Sequence, residues 1–154
     1  MEIRERLNIV SPDVVMEPLL RLMEETSAVP LVVSGSSMTP FLAPGRDTVY
    51  LSSISEPLRR GDMVLYRRDN GRYVLHRILR MSGDSYTMVG DAQNIPEPGI
   101  RREQILAIVR AVRRKDKLLQ KGSFWWVFFE RIWIHLVPVR PLIRGAYDSI
   151  KKRN

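Results

Sequence analysis

The sequence predicts a mainly-β fold: a small antiparallel barrel or sandwich, with a short helical segment before it and an aromatic, basic helix after it. Between about residues 30 and 112, short runs rich in β-branched and aromatic residues alternate with turns that contain Gly, Pro or Asn. This alternation is typical of small all-β folds rather than of an α/β sheet. A length of 154 residues and a hydrophobic content of 44% fit one domain with a sizeable core.

Residues 1–29 are predicted to be helical. Ser11-Pro12-Asp13 is typical of a helix start, because a hydroxyl can cap the helix and Pro fits its first turn. Pro18 leaves two interpretations open, one broken helix or two short ones. The charged residues 1–6 are not followed by the apolar run of roughly 7–15 residues that a signal peptide needs. We therefore expect a cytoplasmic location.

Residues 30–115 are predicted to form the β domain, with about six strands. Asp69-Asn70-Gly71 is a hairpin signal between two of them, because primed turns favour Asn-Gly. The predicted strands are residues 31–33, 47–52, 63–66, 72–79, 85–89 and 105–112.

Residues 116–154 are predicted to be a C-terminal aromatic and basic helical tail. All three Trp and three of the four Phe lie in residues 124–137. This run is shorter than the roughly 20 apolar residues that span a bilayer, and Glu130 and Arg131 interrupt it. Two interpretations remain: an in-plane helix on an anionic membrane surface through residues 124–153, or a helix whose aromatic residues pack on the barrel or on a partner.

The charge of the chain is unevenly distributed. Residues 1–58 carry 4 basic and 8 acidic side chains, whereas residues 59–154 carry 21 basic and 9 acidic ones. A basic surface of this kind attracts nucleic acid, anionic lipid or acidic peptide, or serves only solubility. The absence of Cys excludes disulfides, zinc–cysteine sites, iron–sulfur clusters and a cysteine nucleophile. His76 and His135 are the only histidines and cannot make a multi-histidine metal site between them. No motif implies a metal or an organic cofactor, so none is expected.

A serine-containing turn follows the first predicted strand. It reads Gly35-Ser36-Ser37-Met38-Thr39-Pro40, and its Gly and Pro favour a tight, stiff backbone. Such a turn can present the Ser37 hydroxyl as a nucleophile and the Ser37 N–H as an oxyanion donor. It can also be only a turn.

His76 and Asp91 are the candidate partners of Ser37. An imidazole with a pKa near 6.5 can accept a serine proton at neutral pH, although a strand histidine can also be purely structural. Asp91, after Val89-Gly90, is a candidate to orient the imidazole, with an Asx-type turn as the alternative.

Four short motifs occur in order along the chain: Ser37-Met38-Thr39-Pro40, Arg60-Gly61-Asp62-Met63-Val64, Val74-Leu75-His76-Arg77-Ile78 and Gly90-Asp91. In this order they resemble the boxes of type I signal peptidases and the related LexA-like (S24/S26-type) peptidases. The resemblance covers residues 31–112, roughly half of the chain. A histidine at position 76, where bacterial members have lysine, is similar to the endoplasmic-reticulum and archaeal form.

The resemblance implies a nucleophile at Ser37, a general base at His76 and the family's aspartate at Asp91. We assign oxyanion or substrate-binding positions to Gly35, Ser36 and Met38.

The chain departs from the family pattern in three places. Residues 90–93 read Gly-Asp-Ala-Gln instead of Gly-Asp-Asn-Asn, and Glu97 takes the place of a second aspartate, which makes it a second candidate acid. We expect no counterpart of the family's usual N-terminal membrane anchor. A repressor is disfavoured because 29 residues are too few for a DNA-binding domain and the first lysine is Lys115. The sequence is most similar to the small soluble forms found in bacterial genomes.

The expected function is therefore that of a serine endopeptidase that cleaves leader-like or signal-like peptides, with membrane association at the cytoplasmic face if the tail binds lipid. Two alternatives remain. One is a non-catalytic adaptor that binds a peptide or a membrane on the same fold, and the other is a nucleic-acid-binding protein.

Overall fold

The computed structural model describes residues 12–153, and its centre is an antiparallel sheet. Helix α1 (Pro12–Glu25) precedes eight strands, and a helical tail follows them. The strands are β1 (Val29–Val32), β2 (Thr48–Ser52), β3 (Met63–Arg67), β4 (Tyr73–Ser82), β5 (Ser85–Val89), β6 (Glu97–Arg101), β7 (Ile105–Arg114) and β8 (Lys117–Gln120), with a 3-10 turn at Arg102–Gln104. The tail consists of α2 (Phe124–Val127), a π-helical turn (Phe128–Ile132), a 3-10 segment (Trp133–Val139) and α3 (Arg140–Lys151).

The order of the strands in the sheet is β1-β2-β7-β3-β4-β5-β6, and β8 pairs with β7. Strand β7 joins the two halves, because its first residues pair with β3 and its later residues pair with β2 and β8. Strands β3 and β4 pair in register around the turn at Asp69-Asn70-Gly71, with Val64 opposite His76 and Met63 opposite Arg77.

Both faces of the sheet are covered, which follows from the alternation of side chains along a strand. On β3, Met63 and Leu65 belong to one hydrophobic cluster, and Val64 and Tyr66 belong to another. The first cluster also takes in α1 and the aromatic tail.

The aromatic tail packs on the protein's own sheet. Trp126, Phe129 and Trp133 are buried, and the rings of Trp126 and Phe129 lie 6.1 and 4.9 Å from the ring of Phe41. Packing on the β domain is therefore the interpretation that holds for these three residues. Phe124 and Trp125, at the start of the tail, remain exposed.

The mainly-β prediction is confirmed, and each predicted strand has a counterpart. Strands β6 and β8 were not predicted; β8 extends the sheet to Gln120, beyond the expected boundary at residue 115. Helix α1 continues through Pro18 as one helix, whereas Ser11 lies outside the described residues. Within residues 12–153 no helix combines the length and the apolar character that crossing a bilayer demands.

Candidate active site

The turn after β1 presents Ser37 at the surface of the β domain. Gly35 has φ +74°, a left-handed conformation that favours glycine. The backbone N–H and the hydroxyl of Thr39 both donate hydrogen bonds to the Ser36 carbonyl, at 3.2 and 2.8 Å. Met38 is buried in the core and anchors the turn from below. Ser37 is half-buried, and its own N–H has no acceptor among residues 12–153.

The backbone carbonyl of Ser37 and the ring of His76 both lie against Gly90. A Cβ atom added at Gly90 would overlap the carbonyl oxygen of Ser37 and would come within 3.1 Å of Cδ2 and Nε2 of His76. The Ala92 N–H donates a 2.9 Å hydrogen bond to the same Ser37 carbonyl. A residue without a side chain at position 90 therefore lets the Ser37 turn approach the Nε2 edge of the imidazole.

A cleft of about 300 Å³ lies above these residues. Ser37, His76 and Gln93 line one part of it, and residues 31–34 of β1 and the following loop line another. The Ser37 hydroxyl and His76 Nε2 have no hydrogen-bond partner within the described part of the chain. Both can therefore interact with a molecule in the cleft.

His76 is held through its other ring nitrogen by Tyr66 and Glu97. The imidazole is only 1% exposed, and Nδ1 lies 3.1 Å from the Tyr66 hydroxyl. The Tyr66 hydroxyl donates a 2.7 Å hydrogen bond to Glu97, and Arg68 donates to both carboxylate oxygens of Glu97 at 2.8 and 2.9 Å.

This chain of hydrogen bonds assigns the tautomer of His76. An ionised carboxylate only accepts hydrogen bonds, so the Tyr66 proton points at Glu97 and the Tyr66 oxygen must accept from His76. The imidazole proton therefore sits on Nδ1, and the unprotonated Nε2 lies on the part of the ring that is close to Gly90.

The pKa values agree with this assignment. Burial lowers the pKa of His76 to about 4, although the negative charge of Glu97 opposes the shift, so the imidazole is neutral at pH 7. Burial disfavours the charged form of Glu97, but hydrogen bonds from Arg68 and Tyr66 outweigh it and lower the pKa of the carboxyl. Burial and the bond to Glu97 raise the pKa of Tyr66 far above its usual range.

The expected orientation of His76 by Asp91 is wrong. Asp91 accepts a 2.9 Å hydrogen bond from Arg77 Nε, and neither side chain is exposed. Because successive residues of a strand point to opposite faces, Arg77 and its partner Asp91 lie on the face opposite to that of His76. The Asp91 carbonyl accepts a 2.7 Å bond from Trp133 Nε1. Asp91 thus attaches the loop of residues 90–96 between β5 and β6, which we call the Gly90 loop, to β4 and to the tail.

The remaining predicted positions have different surroundings. Glu97, the second candidate acid, is the carboxylate that reaches His76, through Tyr66. Gly35 has open space where a Cβ would stand, so its conformation and not a close approach requires glycine. Ser36 is exposed, whereas Met38 is a core residue that also lines the cleft.

Sequence reasoning did not single out Tyr66 and Arg68, and it named Arg77 and Gly90 only as members of motifs, without the roles described above. Tyr66 reads as one more core residue of a strand, yet a signal was present: the Asp69–Gly71 hairpin places Val64 opposite His76, and Tyr66 is two residues further on the same face.

Comparisons of the chain with protein-family models, with curated proteins and with solved structures found no match in any of the three.

Proposed function

We propose that the chain is a serine endopeptidase in which Ser37 is the nucleophile and His76 the general base. The observation that carries the proposal is the approach of the Ser37 turn to the Nε2 edge of His76 at Gly90, at the wall of one cleft. The order of motifs that resembles signal-peptidase-like enzymes supports the same two residues independently.

In this mechanism His76 acts in the protonation state that the site already favours. Ser37 Oγ attacks the carbonyl carbon of a peptide while its proton passes to His76 Nε2. The imidazolium then gives that proton to the leaving amine, and water repeats the sequence on the acyl-enzyme. Glu97 faces the imidazolium through Tyr66, so its negative charge offsets the positive charge that develops on His76.

The Ser37 N–H, which is free within residues 12–153, would donate to the oxyanion of the tetrahedral intermediate. Ser36 lies beside it in the same turn, where its exposed side chain can contact the substrate.

The strand edges around the cleft favour an extended peptide as substrate. Among residues 12–153, strand β1 pairs with β2 alone, and β5 pairs with β4 only from Arg77 onward. Residues of β1 and the first part of β4 both line the cleft. A peptide can therefore add its backbone to a strand edge and place alternate side chains in the cleft. Leader-like or signal-like peptides are the substrates that the sequence resemblance implies.

Cleavage of a diverse peptide pool, followed by mass spectrometry, tests the proposal. Cuts made by the wild type should disappear with Ser37→Ala, and His76→Gln should slow them by about 10²–10⁴-fold. Ser53→Ala is the control, because it removes an exposed serine hydroxyl that does not line the cleft and should leave cleavage intact. Identical cleavage by wild type and Ser37→Ala would reject the peptidase. No cleavage by either, with peptide binding in the cleft, would favour the non-catalytic adaptor.

A further inference from the structure

The last helix, α3, contacts the rest of the protein through its polar side. Arg140 is 1% exposed, and its guanidinium donates hydrogen bonds to the carbonyls of Gly90, Gln93 and Trp133 at 2.8, 2.7 and 2.9 Å. One turn further, Arg144 donates to the Ala92 carbonyl at 2.9 Å. The helix is thus attached to the Gly90 loop by charged side chains.

The apolar side of α3 is left exposed. Leu142, Tyr147 and Ile150 are 74%, 66% and 64% exposed, and Ile143 is also exposed. Their spacing places these four residues on one side of an α-helix. We call this set, Leu142, Ile143, Tyr147 and Ile150, the outer face. The outer face cannot turn inward without breaking the bonds of Arg140 and Arg144.

The charges around the outer face have one predominant sign. Residues 140–153 hold five basic side chains and one acidic side chain, Asp148. Lys151, Lys152 and Arg153 at the end of the helix are exposed and have no acidic partner among the described residues. An apolar stripe beside free cations complements an anionic lipid surface, where phosphates meet the cations and acyl chains meet the apolar residues.

The size of the outer face argues against a second copy of the chain. Helix α3 has 12 residues, which corresponds to a length of about 18 Å. Four side chains along such a helix offer less than the roughly 800 Å² per partner of a stable protein interface. A bilayer needs no matching pocket and accepts a stripe of this size.

We propose that the outer face of α3 docks in the plane of an anionic lipid surface, with Lys151, Lys152 and Arg153 at the headgroups. This docking does not depend on Ser37 chemistry, so Ser37→Ala should bind lipid as the wild type does. Failure of the peptidase proposal would therefore leave this one standing, and the reverse also holds.

Flotation of the full chain with vesicles tests the docking. Vesicles that contain phosphatidylglycerol should bind the protein, and vesicles of phosphatidylcholine alone should bind it at least about tenfold more weakly. The double variant Leu142→Ser/Ile150→Ser should lose at least about tenfold in binding. Leu118→Ser is the matched control, since Leu118 is 51% exposed on β8 and lies outside the outer face. The triple variant Lys151→Gln/Lys152→Gln/Arg153→Gln should also bind at least about tenfold more weakly.

A depth measurement separates insertion from surface adsorption. Because the chain has no Cys, a nitroxide label can be placed through Leu142→Cys or, as control, through Leu118→Cys. With anionic vesicles, the label at position 142 should become accessible to oxygen in the acyl region, and the label at 118 should stay aqueous.

Three results would overturn the proposal. The first is no binding to anionic vesicles. The second is binding that Leu142→Ser/Ile150→Ser leaves unchanged, which means electrostatic adsorption only. The third is a protein that has the mass of a dimer without vesicles and whose label at position 142 is shielded from solvent, which would assign the outer face to a second copy of the chain.

Discussion

Replacement of Asp91 by Ala should destabilise the fold by about 3–5 kcal/mol, because it leaves the charge of Arg77 buried without its partner. The two side chains are fully buried and 2.9 Å apart. Arg77 would keep only the Gly61 carbonyl, 3.0 Å from its NH1 atom, and the ring of Phe41 at 5.3 Å from its guanidinium carbon. Neither contact carries a full negative charge.

The net contribution of the pair is smaller than this loss. Burial raises the pKa of Asp91, and the positive charge of Arg77 opposes that rise only in part. Holding the carboxylate ionised inside the protein therefore costs free energy that the attraction to Arg77 offsets only in part. An apolar replacement of both residues, Arg77→Met/Asp91→Leu, removes the two charges together. Its loss of unfolding free energy should be at least about 2 kcal/mol smaller than the summed losses of Arg77→Met and Asp91→Leu.

Urea unfolding at pH 7, followed by tryptophan fluorescence, measures these losses. Trp133 donates to the Asp91 carbonyl and so reports on the same loop. A loss of 3–5 kcal/mol corresponds to a shift of about 2 M in the urea midpoint. Glu103→Ala is the control, since its ion pair with Arg101 is exposed and should contribute nothing measurable. A loss below about 1 kcal/mol for Asp91→Ala, or an additive double variant, would refute this account.

Three further predictions concern His76, the charges of Glu97 and Arg68 near it, and Gly90. The folded-state pKa of His76 is about 4, which lies below its unfolded value. The free energy of unfolding of the wild type should therefore fall by about 2–3 kcal/mol between pH 7 and about pH 4.5. Urea unfolding of His76→Gln should lack this fall, and an equal fall in the variant would contradict the prediction. The negative charge of Glu97 raises the pKa of His76, and the positive charge of Arg68 lowers it. In pH profiles of kcat/KM for the proposed reaction, Glu97→Gln should therefore move the acid limb to lower pH, and Arg68→Gln should move it to higher pH. Shifts of both variants in the same direction would indicate only general damage to the site. Gly90→Ala should destabilise the fold by about 2 kcal/mol or more, because the new Cβ would overlap the Ser37 carbonyl. Gly145→Ala, in open space within α3, should instead stabilise it by up to about 1 kcal/mol. Equal effects of the two variants on thermal unfolding would contradict the close approach of the Ser37 carbonyl to Gly90.

The strands that could be predicted are those whose residues favour a strand without help from neighbours. The run at Met63–Arg67 and the hairpin after it specify both strands and their register locally. Strand β6 contains Pro98 and Gly99, which disfavour a strand on local grounds, and it lies at the end of the sheet, where a missing N–H is tolerated. Only pairing with β5 makes it a strand, and pairing of that kind is not visible in the local sequence.

The same distinction explains the acids of the site. Ser37 and His76 carry recognisable motifs, but which carboxylate reaches the imidazole depends on the face each side chain takes. Asp91 is nearer in sequence, yet it lies on the face of Arg77; Glu97 comes from the edge strand and reaches His76 through Tyr66. His76 and Arg77 are neighbours in the chain but point to opposite faces of β4, and this decides which acid each of them contacts. The motif does not show which face Asp91 takes.

Placing Tyr66 between the acid and the imidazole has a chemical consequence. A carboxylate bonded directly to His76 would favour the imidazolium strongly and raise the pKa of the histidine. With Tyr66 interposed, burial prevails and the pKa stays at about 4, while the Tyr66 oxygen still fixes the Nδ1 tautomer. Arg68, in turn, keeps Glu97 ionised, so the Tyr66 proton remains committed to the acid. The four side chains therefore hold a neutral imidazole, with an unprotonated Nε2 beside Gly90, before any substrate is present.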